Sequence, residues 1–185
     1  MNSRKKMIVK IIVAVAVITL AVNFVLPKGY SPLFRVGIFV MSNLVNRTQV
    51  RMLCKTDHQA LLEACRELSR RVSEGDLKAG GYYLRGSSRR KKEVSQFPRP
   101  ILDLAPRIVM IDRDGRVVLG MGGGFVNIAF FAYPENYKVP YRNFVYGDKK
   151  IIDGLWYHDA EYEGNPGYQK RIEDLIQKGK QAYGN

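Results

Sequence analysis

The feature that most constrains this chain is an apolar run near its start, residues 7–26, reading MIVKIIVAVAVITLAVNFVL. At about 1.5 Å of rise per residue, a helix of that length matches the roughly 30 Å hydrocarbon core of a bilayer. Thr19 and Asn23 are uncharged. Lys10 lies one turn from the polar end, where its stem follows the helix and its ammonium reaches the headgroups. Arg4, Lys5 and Lys6 precede the run with no acid among them, and Pro27, Lys28 and Gly29 close it. The flanking charge is heavier before the run than after it, where Lys28 and Arg35 stand. That bias puts the N-terminus in the cytoplasm and the rest outside.

The competing reading is a secretory signal peptide cleaved near Ala21, since Thr19-Leu20-Ala21 forms a small-x-small site. Against it, the apolar character continues through Val22, Phe24, Val25 and Leu26. The expected layout is therefore a basic cytoplasmic tail (1–6), a transmembrane helix (7–26), a juxtamembrane or interfacial segment (27–56) and an extracytoplasmic domain (57–185). A flexible basic loop (75–106) is expected within that domain.

The 185 residues include 30 Lys and Arg against 17 Asp and Glu, a net charge of +13. Arg4, Lys5, Lys6, Lys10 and Lys28 carry five of these charges, which leaves +8 on the rest of the chain. Such a domain is drawn to anionic surfaces: lipid headgroups, envelope polymers or acidic partner proteins. Outside the cytoplasm, nucleic acid drops out as a partner. Hydrophobic residues at 46% and charged ones at 25% are ordinary globular values, so a packed core is expected.

The juxtamembrane segment opens on Ser31-Pro32, an N-cap followed by proline at the first helical position. Residues 33–45 are apolar nearly all round and too short to span a bilayer, which fits an interfacial or buried helix. Thr56-Asp57-His58-Gln59 reads as a capping box with Thr56 as cap. Leu61, Ala64, Cys65, Leu68 and Val72 then recur on one helical face, Glu67 stands one turn from Arg70 and Arg71, and Gly75 stops the helix, which predicts a helix over 57–73. Residues 75–106 read as a long loop with at most one short strand at 82–85.

A β-rich stretch follows. Residues 107–112 and 116–121 flank a turn in which Gly115 is left-handed and Asp112 faces Arg116. Residues 125–133 are apolar at both alternating sets, as in a central strand. Residues 142–146 form a short strand, and Asp153-Gly154 between β-formers predicts a hairpin. Asn165-Pro166 starts a last helix with Tyr168, Ile172, Leu175, Ile176 and Tyr183 on one face. The fold class expected is α+β: an N-terminal transmembrane helix, then one domain with an antiparallel meander sheet of about four to five strands and flanking helices.

Several patterns in the sequence have chemical meaning. Arg85, Arg89, Arg90, Lys91 and Lys92 put five cations in eight residues, a charge run suited to an anionic or partner contact. His158, Asp159 and Glu161 sit in the densest set of potential ligands and acid–base groups, and are the candidates for a membrane-tethered hydrolase or transferase. The bland alternative is a polar turn. The glycines from Gly120 to Gly124 precede a strand rather than a helix and are not followed by a lysine, so they do not make a phosphate loop. Asp112-Arg113-Asp114-Gly115 lacks the later ligands of a calcium loop. Cys54 and Cys65 are not a metal motif; they are either a disulfide or inert thiols, with Cys65 on the apolar helix face. No metal or cofactor is expected. The leading functional expectation is a non-enzymatic, membrane-anchored domain that binds a protein partner or an anionic envelope component. A hydrolase or transferase and a small-ligand sensor domain are the alternatives.

Overall fold

The computed structural model describes residues 32–84, 95–122, 128–135, 137, 148–159 and 165–184, with backbone alone at 32–36 and 38–40. The apolar run 7–26 and the strand expected at 142–146 lie outside the described residues, as does the start of the strand expected at 125–133. Among the described residues, no helix is long and apolar enough to cross a membrane. The chain divides into two units, Met1–Arg47 and Thr48–Asn185.

Helix α1, Pro32–Cys54, starts at the expected proline but runs well past Val45. In the first unit Met41 and Leu44 are exposed. In the second, Gln49, Met52 and Leu53 have no exposed surface. The Thr56 hydroxyl donates to the Arg51 carbonyl at 2.8 Å, which terminates α1. Thr56 is thus spent, and the cap of helix α2, His58–Ser73, is Asp57: its extended backbone lets Oδ1 accept from Ala60 N–H at 3.0 Å. This corrects the expected Thr56 cap, and Gln59 reaches forward to Glu63 rather than back. The expected apolar face is buried at Leu61, Ala64, Cys65 and Leu68, and Leu62 and His58 join it. Glu67 pairs with Arg70 at 2.8 Å on the exposed side.

The region read as a loop holds two elements. Strand β1 is Gly80–Tyr83, and a six-residue helix α3, Arg99–Leu104, follows. Pro98 and Pro100 look like loop punctuation, but proline is tolerated in a first helical turn. Ile101 and Leu104 of α3 are buried, and Ala105 ends it in the left-handed region at φ 52°. The remaining strands are β2 (Ile108–Ile111), β3 (Val117–Gly120), β4 (Ile128–Ala132), β5 (Asp148–Ile152) and β6 (Leu155–Asp159), and helix α4 is Pro166–Tyr183.

The domain is α+β, with one antiparallel six-stranded sheet in the order β1-β2-β3-β4-β6-β5. The expectation of four to five strands was low. The sheet is a meander only as far as β4, because the second arm of the Asp153-Gly154 hairpin pairs with β4 and leaves β5 on the outside. The β2–β3 turn has the expected form. Gly115 has φ +84°, Asp112 N–H donates to Arg116 C=O at 2.9 Å, and Arg116 Nε meets Asp112 Oδ2 at 2.8 Å.

Register carries side-chain rows across all six strands. Tyr82, Val109, Leu119, Phe130, Tyr157 and Lys149 form one row, and its middle four residues are fully buried. Helix α2 lies against β2, β3, β4 and β5, and Phe130 meets His58 of α2 edge-on. This is the core side. One residue along, Gly81, Met110, Val118, Phe131, Trp156 and Lys150 form a row on the opposite face.

Candidate functional site

The polar side chains with chemical potential cluster around β6. Strand alternation separates its last two residues: Asp159 shares the core-side parity of Tyr157, while His158 shares the opposite face with Trp156. The sequence reading grouped His158 and Asp159 with Glu161. The two described members do not meet, and Glu161 lies outside the described residues.

Asp159 is 3% exposed and is held from three directions. Its Oδ2 accepts from the Tyr157 hydroxyl at 2.7 Å, the Tyr168 hydroxyl at 2.6 Å and Gln49 Nε2 at 2.9 Å. Arg171 donates to Gln49 Oε1 at 3.0 Å, so a guanidinium offsets the buried acid through one intervening amide. The partners come from three elements. Gln49 comes from the end of α1, Tyr157 from β6, and Tyr168 and Arg171 from the first turns of α4. The placement of α4 follows from its cap, because Asn165 accepts from the N–H groups of Gly167 and Tyr168. Burial first, then the charge and hydrogen bond of Asp159, push the Tyr157 hydroxyl well above the usual phenol range. Tyr157 is therefore a proton-holding donor and not an acid–base group near neutrality.

On the other face, His158 Nδ1 donates to Asp148 Oδ1 at 2.6 Å, with side-chain exposures of 6% and 7%. Phe131 meets the imidazole edge-on with centroids 5.5 Å apart. A carboxylate that orients an imidazole is the supporting half of a general-base arrangement. The reacting half, a hydroxyl or thiol on the remaining nitrogen, is not among the hydrogen bonds of the described residues. Within those residues no three His, Cys, Asp or Glu side chains gather as a metal site.

The thiols are free rather than paired. Cys65 is buried in α2, and burial drives its pKa up, away from thiolate chemistry. Cys54 is half-buried, donates to Leu175 O at 3.3 Å, and is likewise raised by burial, with Lys178 and Lys55 opposing. An open groove runs between the polar side of α2 and the turn after β4, lined by Glu63, Arg66, Glu67, Arg70, Pro134 and Glu135. It does not enter the space between sheet and helix, where Leu61, Leu68, Leu119, Phe130 and Tyr157 are fully buried.

Arg85, Arg89, Arg90, Lys91 and Lys92 lie outside the described residues; the chain enters that run directly after β1 and Leu84. Sequence reasoning missed Gln49, Tyr157, Tyr168 and Arg171 as partners of Asp159. The i, i+2 spacing of Tyr157 and Asp159 on a strand was the one local signal available. No family model matches the chain, and no curated protein and no solved structure matches it either.

Proposed function

We propose that this chain is a single-pass membrane protein, anchored through residues 7–26, whose domain is extracytoplasmic. In this reading the domain is non-enzymatic and binds a protein partner or an anionic envelope component. The observation that carries the reading is the occupation of the chemistry-bearing side chains. Asp159 is held by three donors on Oδ2, His158 faces away from it onto Asp148, and Cys65 is sealed in the core. These groups hold elements together, which is the work of a scaffold.

Two features support a binding surface. On the sheet face opposite the helices, Tyr83 at 52% and Met110 at 39% are exposed at the β1–β2 end, whereas Val118, Ala129 and His158 further across are buried. Aromatic and Met side chains are enriched at protein contacts. The cationic run of Arg85, Arg89, Arg90, Lys91 and Lys92 leaves the same edge of the sheet in sequence, and a basic segment near a membrane gains about 1 kcal/mol per cation against an anionic surface.

Alkaline extraction of membranes, followed by salt-dependent pull-down with full-length chain and with a variant neutralised at Arg89, Arg90, Lys91 and Lys92, tests both halves. The chain is expected to stay in the membrane pellet. The wild type is expected to retain bound partner or anionic vesicles that the variant loses, with the difference shrinking as salt rises. Release by alkali would defeat the anchor. Equal, salt-independent retention by both proteins would defeat the basic run as the contact.

A further inference from the structure

The imidazole of His58 stands at a three-helix junction in a chemically unfinished state. It is the first residue of α2 and has no exposed surface. Nε2 lies 2.9 Å from the Met52 carbonyl of α1 and must carry the proton, because a carbonyl only accepts. Nδ1 is therefore a bare acceptor, buried without a hydrogen-bond partner. Helix α4 presses on the same ring through Gly179: a Cβ there would sit 3.4 Å from His58 Cε1 and 2.0 Å from the Leu53 carbonyl oxygen. Strand β4 closes the remaining side with Phe130, edge-on at 5.8 Å between centroids. Among the described residues, the charges acting on the ring are the carboxylate of Asp57, its own helix cap, and the opposing ammonium of Lys180 on α4.

We infer that His58 is an acid-sensitive latch: protonation at Nδ1 undocks the end of α1 and the second half of α4 from the domain while the sheet and α2 stay folded. A proton on Nδ1 creates a buried cation whose new N–H has no acceptor, at the positive end of a helix. The cheapest relief is to part the elements that seal the ring. Those are the α1 end and α4, whose approach at Gly179 has no side chain between them. The depressed basicity of the ring, due first to burial, agrees with this geometry. Because the folded junction resists a proton that a free histidine accepts, opening becomes easier as pH falls below the free-histidine value of about 6.5. One linked proton permits up to about a tenfold rise in the opening constant per pH unit.

The chain carries its own reporters. Cys54 lies in the junction, its thiol on the Leu175 carbonyl, while Cys65 is sealed in the α2 core. In the full chain, the rate of each thiol with a dipyridyl disulfide, which reacts in acid, is read by peptide mass between pH 7.5 and 5.0. Rates are normalised to the denatured chain at the same pH. The expected result is a 3- to 10-fold rise in relative Cys54 reactivity from pH 6.5 to 5.5 with Cys65 still protected. That rise should be lost in His58→Gln, which keeps a donor for Met52 but cannot charge, and kept in His158→Gln. A flat Cys54 profile, joint exposure of both thiols, or a rise that survives His58→Gln overturns the latch. If His58→Gln does not fold, NMR titration of the two histidines in the wild type decides. An His58 ring that titrates at the free value in the closed protein overturns the proposal, and a suppressed midpoint that tracks Cys54 exposure supports it.

Discussion

Gly179→Ala is a substitution whose sign separates local propensity from packing. Gly179 sits inside α4, where replacing glycine by alanine in an exposed helix is worth about 1 kcal/mol of added stability. Here the new methyl would be centred 2.0 Å from the Leu53 carbonyl oxygen, 3.1 Å from its carbon and 3.4 Å from His58 Cε1. The first obstacle is backbone at the end of α1 and has no rotamer to change. Relief requires α4 to move outward by more than about 1 Å, taking buried Ile172 and Ile176 with it. Overpacking of this kind costs about 1–3 kcal/mol, and lifting two buried isoleucines adds to it. The net expectation is destabilisation by about 1–3 kcal/mol after the propensity gain. At about 2–4 °C per kcal/mol for a chain of this size, the melting temperature should fall by about 2–12 °C. Thermal melts of the detergent-solubilised full chain, followed by circular dichroism, measure this, with exposed Gln177→Ala as the control expected within about 0.5 kcal/mol. A melting temperature that rises in Gly179→Ala would refute the close approach of α4 to α1 and the packing argument built on it.

Other expectations follow from the polar contacts. Tyr168→Phe removes one of the three donors to Asp159 and should cost about 1.5–3 kcal/mol in denaturant unfolding; Asp159→Ala should cost more, since it strands all three. A neutral effect of Tyr168→Phe would mean that the hydroxyl is not in the network. Asp57→Ala loses the α2 cap and should cost about 1 kcal/mol, whereas the sequence-level capping box would have assigned that loss to Thr56. In Ellman titrations at pH 8, Cys65 should stay silent until denaturant is added, because burial raises its pKa and blocks access. Prompt reaction in the native chain would contradict its place in the core.

Much of the fold was legible because its signals are local. The α2 stripe, the Asn165-Pro166 start of α4, the left-handed Gly115 turn and the Asp153-Gly154 hairpin each depend on a few neighbouring residues, and each is found where the sequence put it. Helix α3 was hidden because six residues span too few turns to show a period. The strand order was hidden because nothing local says that β6 pairs backward with β4 rather than leaving β5 between them. The site was misread at a point where strand parity already spoke: adjacent residues on a strand face opposite sides, so His158 and Asp159 were poor partners from the start. Gln49 was beyond reach, since its meeting with Asp159 depends on how the end of α1 lies on a strand far along the chain.

The position of β5 has a consequence for how the sheet holds together. Among the described residues its hydrogen-bonded neighbour in the sheet is β6, reached through the tight turn at Gly154. Gly154 takes φ +89°, close to Leu62 and Arg66 of α2, so that turn is fixed both by its own backbone and by the helix beneath it. Through this hairpin β5 is tied to β6, which in turn pairs with β4. A lesion at the turn would loosen the seat of β5 first, while the ladders from β1 to β4 keep their own hydrogen bonds.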